Sequence, residues 1–335
     1  MNHKASTSYD HTTIEIAILV PCFNEEVAAP LVIQQFKEIF PNARICIFDN
    51  NSSDATGEVA ARNGAEVHFV NLRGKGNVVR RMFADIEADV YVLVDGDATY
   101  DASSAPKMIE RLIHERLDMV VGVRKDDQEA AYRKGHRLGN RLLTGCVSFI
   151  FGGEFSDMLS GYRVFSRRYV KSFPALSQGF ETETELTVHA LELRMPWGEM
   201  DTLYTARPEG SSSKLSTYRD GIRILSMIIK LYKAERPLAF FGGIAGILTI
   251  LAWCTAMPLF LTYFHTKEVP RIPTTVLVTG IQLLAFLSLS CGFVLETVTR
   301  GRSEIKRLAY LGIKSTSEKF FSKAKTNITQ AVNIT

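Results

Sequence analysis

The stretch VLVDGDATYDA, Val92 to Ala102, ends an apolar run on Asp95, Asp97 and Asp101, three aspartates within seven residues. The apolar residues before Asp95 read as a buried strand. Asp95 and Asp97 carry like charge two positions apart, so they repel unless a cation lies between them. Gly96, between the two, allows the backbone to approach a ligand closely. Hard carboxylate oxygens suit Mg²⁺ or Mn²⁺, ions that commonly combine one or two carboxylates with substrate phosphates. A solvated turn or a helix cap would use the same three residues, so the neighbourhood has to decide.

Working outward, apolar runs alternate with helical spacing. IEIAILVP, RICIFDN, AEVHFV, ADVYVLVD and LDMVVGV are strand-like, and helices are expected over Glu25–Ile39, Ser53–Gly64, Gly76–Ala88 and Pro106–Arg116. Repeated β-α units with short links predict a Rossmann-like α/β fold, a mostly parallel sheet with helices on both faces. Ligands of such sheets sit beyond the carboxyl ends of the strands. The polar clusters CFNEE, DNNSSD, RGKG and DGDATYD follow the first four strands in turn. From Lys125 to Asp157 the periodicity weakens and basic residues crowd, among them Arg124, Arg137 and Arg141.

The 335 residues are 46% hydrophobic and 22% charged with a formal net charge of +3, too even a balance to argue for nucleic acid. The five cysteines are scattered without a CxxC pair, as expected of reduced thiols. Residues 1–13 are polar and lack the apolar core of a signal peptide. Leu238 to Phe264 contains no charged residue, and Thr274 to Thr297 is uncharged until Glu296. Each is long enough to cross a bilayer as a helix, which takes roughly 20 residues. The nine-residue connector HTKEVPRIP predicts a transmembrane hairpin. Lys230, Lys233, Arg236, Arg300, Arg302, Lys306 and Arg307 flank its outer ends, which predicts that the N-terminal domain and both termini are cytoplasmic. The sequons at Asn327 and Asn333 would then stay unglycosylated. Ser216 to Arg236 is amphipathic and suits a helix lying in the membrane interface. The expected organisation is a flexible 1–13, a catalytic domain over 14–215, a juxtamembrane helix over 216–236, spans over 238–264 and 274–297, and a tail over 298–335.

VPCFNEE, FDNNSSDAT, GKGNVVRRMFADIEADVYVLVDGDATY and EGSSSKLS, in this order and spacing, resemble family 2 glycosyltransferases of GT-A fold. More narrowly the chain resembles polyprenyl-phosphate glycosyltransferases, the group that includes dolichol-phosphate mannose synthase and bacterial relatives with two membrane spans. The resemblance covers about residues 14 to 300. It implies a nucleotide-sugar donor, UDP-linked by preference, a polyprenyl (undecaprenyl) phosphate acceptor in the plasma membrane, and a Mg²⁺ or Mn²⁺ cofactor.

Carried onto this sequence, the resemblance assigns Pro21, Asn24, Glu25, Asp49, Lys75 and Asp95 to the nucleotide, and Asp95 and Asp97 to the metal. Arg124, Arg137, Asn140, Arg163, Ser213 and Lys214 would face the acceptor phosphate, with Asp157, Asp97 and Lys214 nearest the chemistry. SDMLSGYRVF departs in spacing from the commoner pattern around Asp157, and Ala98-Thr99 stands where many relatives have Leu-Gln. The implied reaction is a single in-line displacement with inversion, in which Asp157 orients the acceptor. A hydroxyl acceptor on a lipid-linked saccharide or glycerolipid is the alternative enzyme reading, and a non-catalytic nucleotide-sugar-binding scaffold is the other class. Glu181, Glu183 and Glu185 alternate in GFETETEL, as sugar ligands or as a solvated face. Gly242, Gly243 and Gly246 would let the hairpin pack on itself or form a homo-oligomer.

Overall fold

The computed structural model of the chain describes residues 14–126, 134–153, 155–179, 181–208, 217–269 and 271–322; in the helices that begin at residues 134 and 217, side chains are described from 143 and 222 onward. The chain divides into two compact units, residues 1–225 with 306–335, and residues 226–305.

In the first unit, β1 (Ile16–Cys22), β2 (Arg44–Asp49), β3 (Glu66–Phe69), β4 (Val90–Leu93), β5 (Met119–Asp126), β6 (Arg163–Ser166) and β7 (Trp197–Tyr204) form one sheet in the order β3-β2-β1-β4-β6-β5-β7. All neighbours are parallel except β6, which is antiparallel to both β4 and β5. The first five strands lie where the sequence places them, within a few residues. The first helix, α1 (Ala29–Ile39), begins later than expected, with Pro30 in its first turn; residues 23–28 are loop. Two further helices in this half, α2 (Thr56–Arg62) and α3 (Lys75–Asp85), follow β2 and β3, and α4 (Ala105–His114) precedes β5.

Alternation along β1 divides the core. Ile16, Ile18, Val20 and Cys22 face one apolar layer with Val32, Ile33 and Phe36 of α1 and Met108 and Leu112 of α4. Ala17 and Leu19 face the other, with Val78, Val79, Met82 and Phe83 of α3. That second layer also holds Phe165, Tyr169 of α6 (Arg167–Ser172) and Leu186 of α7 (Thr182–Glu192). Burial on both faces is why β1 and β4 read as near-continuous apolar runs. The basic stretch after β5, where the periodicity weakens, contains α5 (Lys134–Phe151).

At the end of the sheet where β4 and β5 begin, the C-terminal segment is tied to the core by hydrogen bonds and ion pairs. Asp118, fully buried, accepts from Arg168 Nε and Nη2 at 2.5 and 2.8 Å, from Ser166 Oγ at 2.6 Å and from Tyr310 Oη at 2.7 Å. Lys319 reaches the Asp89 carboxylate at 2.6 Å, and the Thr316 hydroxyl donates to the Asp89 carbonyl at 3.0 Å. Phe320 packs against the first core layer.

The second unit takes in part of α8 (Thr217–Glu235), all of α9 (Pro237–Thr266) and most of α10 (Ile272–Leu311), and α9 pairs antiparallel with α10. Both α9 and α10 are long and apolar enough to cross a membrane. They meet at Gly292, against Phe241 and Leu238, where Ser288 Oγ donates to the Phe241 carbonyl at 3.1 Å and Leu238 N donates to Glu296 at 3.3 Å. The close approach is therefore at Gly292, while a Cβ added at Gly242, Gly243 or Gly246 would meet nothing within 4 Å.

His189 of α7 supplies a test of the packing. Its ring lies edge-on to Tyr169 and Phe173, at 5.3 and 5.4 Å, and burial, with Lys306 adding repulsion, pushes it down to about 3. A histidine neutral when folded and titrating near 6.5 when unfolded stabilises fully above pH 6.5, and that contribution is lost as pH falls toward 3. Between pH 6.5 and 5 the loss should approach ~2 kcal/mol, at ~1.36 kcal/mol per unit. Unfolding of detergent-purified protein across that range should show a shallower pH slope for His189→Gln than for wild type; equal slopes would refute this account.

Candidate active site

The loops beyond the carboxyl ends of β1, β2 and β4 converge. β1 and β2 pair through Pro21–Phe48 and Cys22–Asp49, so Pro21, Asn24, Glu25 and Asp49 share one edge. Asn24 sits at φ 54° and Asn51 at φ 58°, in the left-handed region that asparagine tolerates better than most residues. Asn24 N donates to Ser52 Oγ at 2.9 Å, and its side-chain oxygen accepts from Ser53 N at 2.8 Å, locking the first two loops together. Asp49 accepts from Ser52 N at 3.0 Å. Asn50 accepts from Gly74 N at 2.7 Å and so ties in the loop that leads to α3.

The three aspartates of the opening stretch take different roles. Asp101 is a cap, accepting from Ser103 N at 3.0 Å and from the hydroxyls of Ser103 and Ser104. Asp95 accepts from Lys75 Nζ at 2.5 Å, and Lys75 also contacts Glu183 Oε1 at 2.5 Å. Asp97 accepts from the Thr99 hydroxyl at 2.6 Å on one oxygen and from Arg207 Nη2 at 2.6 Å on the other. Arg207 lies 3.7 Å from Glu25 Oε1. Burial would lower the Lys75 pKa, but Asp95 and Glu183 together raise it, so this lysine is a fixed cation. Burial and then the Asp95 charge push Asp97 up, against the pull of Arg207.

Two glycines permit this crowding. A Cβ at Gly96 would overlap Cys22 Sγ, and one at Gly161 would overlap the Asp95 carboxylate. Ala98 is held at φ 57°, a strained geometry for alanine that costs on the order of 1–2 kcal/mol.

Farther along, Asp157 and Arg124 form a two-pronged ion pair, Nε at 2.6 Å and Nη2 at 2.7 Å. Arg124 also lies over the ring of Tyr204, 5.7 Å from its centroid. Tyr100, packed at 5.2 Å from Tyr204, feels the charges of Arg124, Asp95 and Asp157, which makes the two clusters neighbours.

Arg163 is not brought to this surface. Its guanidinium is fully buried and donates to the carbonyls of Ser160 and Met158 and to Thr187 Oγ1, so it braces the turn after Asp157 and offers no face to an acceptor phosphate. The side chains of Arg137 and Asn140, and residues Ser213 and Lys214, lie outside the described residues. Glu183 is buried, which excludes the solvated face, and one of its oxygens has no hydrogen-bond partner among the described residues. Arg207 was not assigned to the site by sequence, since its partners Asp97 and Glu25 are far away along the chain and no local pattern marks it; Glu183, offered by the alternation in GFETETEL as a sugar ligand or a solvated residue, holds Lys75.

The donor set fits a divalent cation. Around Asp95, the carboxylates Glu25, Asp95, Asp97 and Glu183 bring hard oxygens together against Lys75 and Arg207, with the buried Arg163 acting on Glu183 from behind. A second grouping, Cys46, Glu66 and His68 on β2 and β3, suits a metal less well: Arg44 already holds Glu66, and burial pushes the Cys46 thiol up to about 12.

Comparison with known proteins agrees with this architecture. Residues 17–173 match the model for glycosyl transferase family 2. Glycosyltransferase AglJ of Haloferax volcanii is 33% identical over 282 residues, 82% of this chain and 92% of AglJ. The chain belongs to glycosyltransferase family 2 and is a glycosyltransferase. A dolichyl-phosphate hexose transferase of the same organism is 25% identical over 227 residues, 68% of this chain and 98% of that protein. Among solved structures, glucosyl-3-phosphoglycerate synthase from Mycobacterium tuberculosis, in complex with Mn²⁺, UDP-glucose and phosphoglyceric acid, has a TM-score of 0.55 at 19% identity, covering 66% of this chain and 81% of that one. That likeness establishes the GT-A fold.

The overlap at Gly161 yields a prediction. Gly161→Ala displaces the Asp95 carboxylate, so sugar transfer should fall by about tenfold or more, the effect of misplacing one ionic group by an ångström. Circular dichroism should be unchanged, and a Gly161→Ala enzyme of wild-type rate would disprove the close approach.

Proposed function

We propose that the protein is a membrane-bound inverting glycosyltransferase that moves a sugar from a nucleotide-sugar, UDP-linked by preference, to polyprenyl phosphate. The observation that carries the reading is the pairing of an anion-rich pocket at Asp95 and Asp97 with a separate cation, Arg124, held by Asp157. The likeness to a dolichyl-phosphate hexose transferase and the two helices long enough to cross a membrane support the lipid-phosphate acceptor. The Mn²⁺ and UDP-glucose bound by the mycobacterial synthase support the donor and the metal.

Asp95 and Asp97 would hold Mg²⁺ or Mn²⁺, which when bound stabilises charge on the departing nucleoside diphosphate. Lys75 supplies a second, permanent cation beside Asp95. The acceptor needs little activation: a phosphate monoester has its second pKa near ~6 and is mostly dianionic at neutral pH. Its difficulty is approach to another anion, which Arg124 eases, its guanidinium fork matching phosphate oxygens. Asp157 is locked to Arg124 by two short hydrogen bonds, which suits orienting that arginine better than taking a proton. Arg137, Asn140, Ser213 and Lys214 complete the acceptor side in this reading. The catalytic unit and both termini would face the cytoplasm.

The test uses purified protein in detergent with Mn²⁺ or Mg²⁺ and labelled UDP- and GDP-sugars, with and without undecaprenyl phosphate. Label should enter the organic phase from one donor, only with the lipid phosphate present, and not with Asp97→Ala. Asp157→Asn should retain measurable turnover, losing less than the ~10²–10⁴ expected for a general base. Loss equal to that of Asp97→Ala, or transfer without lipid phosphate, would point to a hydroxyl acceptor.

A further inference from the structure

Arg207 has no part in the reading above, yet it occupies a decisive position. Its Nη2 lies 2.6 Å from Asp97 Oδ2, and the other Asp97 oxygen is already closed by the Thr99 hydroxyl and, at 3.2 Å, by Thr99 N. The oxygen with which Asp97 would hold a divalent cation is therefore the one the guanidinium covers. Glu25, 3.7 Å from Nη1, completes an anionic seat for the same side chain. Lys75 does the corresponding work at Asp95.

The backbone around Arg207 is anchored close to the aspartates. Tyr204 bridges to Tyr100, Thr205 N donates to the Thr99 carbonyl at 2.9 Å, and Tyr100 follows the DGDAT turn directly. Arg207 lies two residues beyond Thr205, so its side chain can leave Asp97 by rotation while the loop base stays fixed. A cation arriving alone must break a largely buried ion pair without offering Arg207 a new partner in exchange. A cation arriving with a nucleoside diphosphate brings new oxygens to which the guanidinium fork can bind in two-pronged fashion. The metal then replaces Arg207 at Asp97, and Arg207 gains a partner in the same step.

We propose that Arg207 is a resident counter-ion that the metal displaces from Asp97 and that the donor diphosphate then captures, so that metal and nucleotide bind with positive coupling. This rests on the metal and nucleotide-sugar reading of the site. Coupling is reciprocal, so each ligand should tighten the other by the same factor, in the usual range of ~5–150-fold.

The test is Mn²⁺ binding to the full-length protein, followed by electron paramagnetic resonance of free Mn²⁺, with and without UDP or GDP. Wild type should bind Mn²⁺ weakly alone and about tenfold or more tightly with nucleotide. Arg207→Ala and Arg207→Gln should bind Mn²⁺ alone more tightly than wild type, bind nucleotide less tightly, and show reduced coupling. Arg73→Ala controls for charge alone: Arg73 stacks on Phe23 and donates to the Asn51 carbonyl without contacting Asp97, and its loss should change Mn²⁺ affinity by less than about threefold, as expected of a screened charge. Unchanged or weaker Mn²⁺ binding in both Arg207 variants, or an equal effect from Arg73→Ala, overturns the proposal while leaving the metal site intact. Mn²⁺ binding in wild type that survives Asp97→Ala overturns the reading of the site itself, and this proposal with it.

Discussion

Two carboxylates at the end of a buried strand, with one glycine between them, set the terms for everything around them. Asp95 and Asp97 have lost part of their hydration, and their repulsion is offset by Lys75 and Arg207, drawn from different parts of the chain. Lys75 opens α3, and Arg207 follows β7, so the sheet must be complete before the charges balance. The site is thus a product of the whole first unit. Its backbone carries related costs, with Asn24, Asn51 and Ala98 all in left-handed geometry around the same edge. Local strain of this kind persists where the surroundings over-determine it, a condition met by the cross-loop hydrogen bonds from Asn24 to Ser52 and Ser53.

The balance also separates two functions spatially. Around Asp95 and Asp97 the charge is negative, suiting a cation and, through it, a diphosphate. At Asp157 the carboxylate is fully engaged by Arg124, so what that cluster offers is a neutralised but directional guanidinium. Tyr100 and Tyr204 lie between the two.

Much of the sheet could be read from periodicity because β1, β2, β4 and β5 are buried on both faces and therefore nearly all apolar. β6 could not: it is four residues long, contains Arg163, and runs antiparallel where the pattern suggested a parallel neighbour. β7 was hidden for a different reason, since it buries only Gly198 and Thr202 and includes Glu199 and Asp201, so no apolar alternation marks it. In the site, Asp95, Asp97 and Lys75 stood out because short motifs mark them. Arg163 was placed on the acceptor side by resemblance alone, whereas its hydrogen bonds to the carbonyls of Ser160 and Met158 are visible only in three dimensions. The alternation in GFETETEL left Glu181, Glu183 and Glu185 open between sugar ligands and a solvated face; Glu181 and Glu185 accept backbone amides of residues 176–179, and Glu183 turns to Lys75.

The attachment of the C-terminal segment also bears on biogenesis. Thr316 and Lys319 reach Asp89 across sequence separations of 227 and 230 residues, and both apolar helices lie in the intervening chain. At a synthesis rate of roughly 5–20 residues per second, the partners of Asp89 emerge about 10–45 s after Asp89 itself. For that interval the start of β4 lacks the contacts of Thr316 and Lys319 with Asp89. The nascent catalytic sheet therefore gains these last contacts only after both apolar helices have been made, which ties completion of the sheet to a late stage of synthesis.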